Sequence, residues 1–181
     1  SDAVIQQWCP ELVTGSKLAS YCLTEPAAGS DASSLRTSAT REGDDYIVNG
    51  SKIFISGAGD TDVLVVMLRT GAAGPKGISA LLIPADAPGI SYGKKEEKMG
   101  WNAQSTRTIT FDAVRVPVRN RLGAEGQGFA IAMEGLDGGR INIVTCSVAT
   151  AQQALEEAVT YVRERKQFYT AIADFQATQF K

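Results

Sequence analysis

Near residues 123–128 the hydrophobic period of this 181-residue chain changes from two to about 3.6, and each half is restricted to a different kind of structure. Before the change, short apolar or alternating runs recur at 17–23, 46–48, 52–56, 63–69, 78–83, 90–92 and 106–116. Runs of this length, bounded by turn residues, are strands. Asn49-Gly50 lies between two of them and has the left-handed turn preference that closes a tight hairpin. No helix-length segment alternates with the strands, which argues against a parallel doubly wound sheet. The expectation is an antiparallel β-barrel or sandwich over residues 1–122, led by a short helix over 2–13.

After the change, Ile141, Val144, Val148, Ala151, Leu155, Ala158 and Val162 step by three and four. This stripe predicts a helix of roughly 25 residues, about 38 Å long at about 1.5 Å per residue. Asp174 is placed to cap a second helix that runs to the end of the sequence. A long helix with one apolar stripe needs other helices to cover it. Residues 123–181 are therefore expected to be part of an incomplete up-down bundle, and the chain to be a fragment or obligately oligomeric. The class is α+β.

Composition removes several functions. Eighteen Lys and Arg against 20 Asp and Glu leave a net charge of −2, without the basic field that holds a nucleic-acid backbone. The absence of histidine removes Ser-His and Cys-His nucleophile pairs and every histidine metal site. Chemistry here must use carboxylates, hydroxyls or a cofactor. Cys9, Cys22 and Cys146 are odd in number and far apart, so neither a disulfide framework nor a metal site is expected. Apolar runs are far shorter than the roughly 20 residues of a membrane span, and residues 1–7 do not resemble a signal peptide.

Glycines at 123, 126 and 128 resemble a phosphate loop, but the spacing reverses the dinucleotide fingerprint and no βαβ unit surrounds them. A loop opening a helix is the better reading. Gly74-Pro75-Lys76-Gly77 reads as a hairpin turn, and the mixed-sign run at 94–98 as a solvated loop. The segment Tyr21-Cys22-Leu23-Thr24-Glu25-Pro26-Ala27-Ala28-Gly29-Ser30-Asp31 ends a strand at a proline and passes through small residues. It suits a structural turn and a ligand-facing loop equally well.

Leu-Thr-Glu-Pro-x-x-Gly-Ser-Asp, followed by Asn49-Gly50-Ser51-Lys52-Ile53-Phe54-Ile55-Ser56-Gly57-Ala58, resembles the flavin-contacting middle domain of the acyl-CoA dehydrogenases. Residues 123–129, Leu136-Asp137-Gly138-Gly139-Arg140 and Arg163-Glu164-Arg165-Lys166-Gln167-Phe168 follow in the family's order, so the resemblance spans essentially the whole chain. Residues 51–59, 76–79, 93–96 and 138–143 resemble the branch that acts on a short branched-chain, isobutyryl-like acyl-CoA.

The resemblance implies FAD in a cleft between the β domain and the C-terminal helices, removal of the acyl α-proton by a base, β-hydride transfer to flavin N5, and reoxidation by an electron-transfer flavoprotein. It implies that Tyr21, Leu23 and Thr24 border the flavin ring, that Phe54 covers it with Ile55 beside it, and that Ser56 offers a hydroxyl near N5. Periodicity alone makes Phe54 a core aromatic. Ser30, Asp137, Gly138, Gly139 and Arg140 are implied on the coenzyme A side, the last four at the start of the long helix, where free N–H groups would favour an anion. For Arg140 a solvated arginine is the plain alternative. Arg165, Gln167, Phe168 and Gln176 are implied to reach the FAD of a neighbouring subunit, in a homo-oligomeric dimer or tetramer.

Two positions depart from the family's pattern. One branch carries its base where Gly139 stands, and glycine cannot take a proton; the base is expected outside these residues and the chain alone is expected to be inactive. Tyr169 stands where the family commonly has glycine after Gln-Phe. Bacterial cytoplasm or mitochondrial matrix is the expected compartment. A non-catalytic acyl-CoA-binding relative and an autonomous interaction module are the alternatives.

Overall fold

The computed structural model describes residues 2–181, with side chains from Val4 onward. It divides into two compact units, one ending at Met133 and the other running from Glu134 to Lys181.

In the first unit, helix α1 (Asp2–Thr14) precedes strands β1 (Ala19–Cys22), β2 (Ser38–Glu42), β3 (Asp45–Ser56), β4 (Val63–Arg69), β5 (Ile78–Pro84), β6 (Ile90–Tyr92), β7 (Thr106–Pro117) and β8 (Arg121–Leu122). Hydrogen bonding follows the order β6-β7-β3-β2-β4-β5-β8, and β1 joins β4. The path is open at β6 and β8, so the sheet does not close into a barrel. The two parts, β6-β7-β3-β2 and β1-β4-β5-β8, connect at the single β2–β4 pair Ser38–Arg69. Tyr46, Val48, Ile55, Ile109 and Phe111 from one part and Leu64, Val66, Leu68, Leu81 and Ile83 from the other share one buried apolar core. Most pairings are antiparallel as expected, but β1 and β2 both run parallel to β4.

The expected hairpin at Asn49-Gly50 does not form. β3 runs unbroken through both residues, and the tight turn comes earlier, between Glu42 and Asp45 of the β2–β3 pair, with Gly43 at φ 62°. Asn49 and Gly50 instead accommodate an irregularity opposite β7. The Asn49 Oδ1 accepts the Ala113 N–H at 2.8 Å, and a Cβ at Gly50 would lie 2.6 Å from the Thr37 hydroxyl oxygen. Asn-Gly here serves a bulge and a close approach rather than a turn.

Helix α2 (Gly128–Glu164) has 37 residues, longer than the stripe from Ile141 predicts. Close main-chain approach accounts for two of the glycines at its start: a Cβ on Gly126 would lie 2.5 Å from the Lys76 carbonyl oxygen, and one on Gly128 2.3 Å from the Ser79 carbonyl carbon. In the second unit, the apolar stripe at Ile141, Val144, Val148 and Leu155 is exposed. Strands β9 (Lys166–Gln167) and β10 (Thr170–Ala171) form a hairpin, followed by the four-residue helix α3 (Gln176–Gln179). Asp174 does not cap α3; it lies in a 3₁₀ turn, and Phe175 occupies the cap position. No described helix is long and apolar enough to cross a membrane.

Candidate functional site

The Tyr21–Ser56 constellation is organised by a bulge. Lys52 of β3 opposes Ile109 of β7, but the next pair is Ile55 with Arg107, so three residues on β3 span two on β7. The extra residue reverses the inside-outside alternation. Tyr46, Val48 and Lys52, all at even positions, point inward; beyond the bulge Ile55 is buried, while Phe54 is 60% exposed. Phe54 is also held at φ 57°, a conformation that disfavours a bulky L-residue. A core aromatic needs neither feature. The Ile55 side chain lies in the core, so only its main chain is available to a ligand.

Next to this bulge, the segment after β1 is fastened to β3. The Ile53 N–H donates to the Thr24 carbonyl at 2.9 Å. The Lys52 ammonium donates to the Leu23 carbonyl at 3.0 Å and to Glu25 Oε1 at 2.8 Å. Glu25 further accepts the N–H groups of Arg36 at 2.6 Å and Thr37 at 2.9 Å. Burial by itself would raise the Glu25 pKa, but the ammonium and these N–H donors together hold it below the ordinary carboxylate value. Burial lowers the Lys52 pKa, and Glu25 opposes that shift.

Tyr21 donates its hydroxyl to the Ala132 carbonyl at 3.0 Å, and burial pushes its pKa up to about 12. That hydroxyl stays protonated and committed, so Tyr21 forms a wall rather than an acid or base. The hydroxyls of Thr24 and Ser56, by contrast, have no hydrogen-bond partner among the described residues, and Ser56 is exposed. Leu23 is buried beside Thr24. Ser30 is exposed and precedes Asp31, whose carboxylate accepts the Ser33 and Ser34 hydroxyls. The first unit thus brings Leu23, Thr24, Phe54 and Ser56 together through the β1–β3 fastening. Glu25 and Lys52 are the members that sequence reasoning missed. The signal was available, since the alternation from Tyr46 and Val48 places Lys52 inside and a buried lysine needs a counter-charge.

In the second unit, Asp137–Arg140 is not at a helix start. α2 begins nine residues before Asp137, so these N–H groups lie in the helix interior and are not free for an anion. The Arg140 guanidinium pairs with the Asp137 carboxylate one turn away. A Cβ on Gly138 or Gly139 would meet nothing within 4 Å, so the pair leaves open space on the helix. Arg165 follows the end of α2, and Gln167 and Phe168 lead into the tip of the β9–β10 hairpin, where Phe168 is 87% exposed. Phe168 and Tyr169 have φ of 50° and 63°, the two-residue left-handed geometry of a tight hairpin turn. Tyr169 therefore preserves the backbone shape that glycine would adopt without strain. Gln176 is exposed at the first position of α3.

The free Cys22 thiol is buried and pushed up to about 12 by burial, and the other two cysteines are free and exposed. Among the described residues no cluster could hold a metal ion.

The first unit therefore carries an exposed aromatic at positive φ on a bulge, flanked by two unpaired hydroxyls and a tied-down main chain. Two family descriptions match the chain: "Acyl-CoA dehydrogenase, middle domain" over residues 20–114, and "Acyl-CoA dehydrogenase, C-terminal domain" over residues 126–181. The chain belongs to the acyl-CoA dehydrogenase family, whose members are FAD-binding oxidoreductases. It is 59% identical over 177 residues to a mitochondrial isobutyryl-CoA dehydrogenase of Dictyostelium discoideum, and 55% identical over 173 residues to that of Bos taurus. These alignments cover 97% and 96% of the chain but 42% of each relative, so the chain spans about two fifths of their length. The structure of butyryl-CoA dehydrogenase from Megasphaera elsdenii superposes with a TM-score of 0.94 at 43% identity, covering 99% of this chain and 48% of that one.

Proposed function

We propose that these residues form the flavin-contacting part of an enzyme that dehydrogenates a short branched-chain acyl-CoA of the isobutyryl type between its α and β carbons. The observation that carries the reading is Phe54, turned outward by a bulge and held at positive φ where regular alternation would bury it. FAD, when bound, supplies the acceptor for the β-hydride. Phe54 would lie against its ring system, with Tyr21 and Leu23 forming the adjoining wall and Ile55 contributing main chain. Thr24 and Ser56 carry the hydroxyls free to donate to the ring's polar edge, where such donors favour an electron-rich ring.

Ser30 and the surface around Asp137, Gly138, Gly139 and Arg140 are proposed for the coenzyme A portion. Arg140 would act there as a fixed positive charge, with no contribution from a helix terminus. Gly139 carries no proton acceptor, so the base that takes the α-proton is proposed to lie outside residues 1–181. Arg165, Gln167, Phe168 and Gln176, clustered along the β9–β10 hairpin and α3, are proposed to reach the FAD of a second copy in a homo-oligomeric dimer or tetramer. Their exposure supports that reading. Electron-transfer flavoprotein is the proposed electron acceptor, and a soluble compartment, bacterial cytoplasm or mitochondrial matrix, the proposed location.

The reading is tested by assaying the full-length protein with isobutyryl-CoA, butyryl-CoA and isovaleryl-CoA and an artificial electron acceptor. The highest kcat/KM is expected with isobutyryl-CoA. Turnover with none of the three contradicts the dehydrogenase reading, and a clear preference for another chain contradicts the substrate assignment. Neighbouring acyl chains differ by only about 1 to 3 kcal/mol per methylene, so the comparison needs all three substrates under identical conditions.

A further inference from the structure

Lys52 has no exposed surface, and its ammonium reaches across from β3 to the 23–37 segment, which lies outside the named strands and carries one isolated bridge, Glu25–Ala28. β1 ends at Cys22; immediately beyond it, Lys52 bonds the Leu23 carbonyl and the Glu25 carboxylate. Glu25 then closes the other end of the segment by accepting the N–H groups of Arg36 and Thr37, just before β2. The residues fixed in this way are Leu23 and Thr24 on one side and, two positions beyond Lys52, Phe54 on the other. A well-packed apolar pair would be at least as stabilising as a buried ion pair. What an apolar pair cannot supply is a donor for the Leu23 carbonyl or an acceptor for two main-chain N–H groups.

We propose that Glu25 and Lys52 are a positioning pair for the flavin: neither touches it, and together they hold Leu23, Thr24 and Phe54 in the arrangement that receives it. The inference rests on the FAD reading of those three residues. It assigns the pair a role in cofactor affinity that is separable from its contribution to folding.

The test uses the full-length flavoprotein, the single variant Lys52→Met and the double variant Glu25→Gln/Lys52→Met. Thermal melting is followed by far-ultraviolet circular dichroism, FAD affinity by titration of flavin fluorescence, and the bound geometry by the flavin's visible circular dichroism. Lys52→Met leaves a buried carboxylate uncompensated, and its melting temperature should fall sharply. The double variant leaves no buried charge, so its melting temperature should recover most of that loss. Its FAD dissociation constant should nevertheless stay about tenfold or more above that of the unmodified protein, the scale of losing one charge-assisted hydrogen bond, with an altered visible spectrum. A double variant with unmodified FAD affinity and spectrum overturns the proposal and leaves the FAD reading standing. An unmodified protein that binds no FAD overturns both.

Should the double variant fail to fold, hydrogen exchange on the unmodified protein decides the matter. The amides of Arg36, Thr37 and Ile53 should be as protected after flavin depletion as before it. Protection that arises only when FAD is added shows that the flavin orders the segment, and overturns the proposal.

Discussion

Replacing Phe54 by glycine separates a ligand-facing aromatic from a core one. Phe54 is 60% exposed, so about two fifths of its surface is withdrawn from water. With about 200 Å² for a fully buried aromatic, that is roughly 80 Å², worth about 2 kcal/mol at about 25 cal/mol per Å². Glycine also relieves the φ of 57°, and the left-handed conformation costs a non-glycine residue about 1 kcal/mol or somewhat more. The two effects oppose, leaving a net loss of about 1 kcal/mol in flavin-free protein. Phe111, 2% exposed in the same sheet, is the control; its replacement by alanine should cost about 3 to 5 kcal/mol. Urea unfolding of both variants with and without FAD measures the contrast. Phe54→Gly should also reduce the stabilisation that FAD gives the unmodified protein, since a bound ligand stabilises by an amount that grows with the logarithm of its affinity. A flavin-free Phe54→Gly protein as unstable as Phe111→Ala would refute the reasoning, because Phe54 would then be a core residue.

Gly128→Ala should destabilise the protein by about 1 to 3 kcal/mol or more in the same unfolding assay, because the added methyl meets main chain at Ser79 rather than a side chain that can move. Tyr169→Gly should stabilise the β9–β10 hairpin by about 1 kcal/mol by relieving its φ of 63°, read as slower exchange of the hairpin amides. Glu25 adds a pH dependence. Its folded pKa lies below the ordinary 4.5, so its stabilisation is fully present above that value and is lost as pH falls through the folded pKa. Glu25→Gln should flatten the acid limb of a stability-against-pH curve.

Strand existence was largely legible, since six of the seven expected runs overlap observed strands at similar bounds or, for 46–48 and 52–56, as parts of β3; β1 is a shortened form of 17–23. β2 was missed because Ser38-Ala39-Thr40-Arg41-Glu42 shows one buried residue, Ala39, and its place is set by pairing with β3 rather than by its own pattern. Asn49-Gly50 misled because a bulge and a tight turn call on the same backbone freedom. Phe54 is the reverse case. Period-two counting buries it, and only the register shift against β7, a property of two strands together, turns it outward. The long helix was seen but begun too late. Its first turns bury only Gly128 and Ala132, small residues set by close packing rather than by a stripe, which leaves Asp137–Arg140 reading as its start. The Glu25–Lys52 pair could have been anticipated from alternation, but its bonds to Leu23, Arg36 and Thr37 depend on main-chain positions that no pattern specifies.

The most direct measurement is anaerobic addition of isobutyryl-CoA to the full-length protein loaded with FAD, followed by visible absorbance. If residues 21–56 present a flavin to a short branched acyl chain, the yellow absorbance bleaches within the enzyme's turnover time and returns when an electron acceptor is added. Absorbance that stays unchanged with isobutyryl-CoA and with every other short-chain acyl-CoA, in protein that demonstrably holds FAD, contradicts the account.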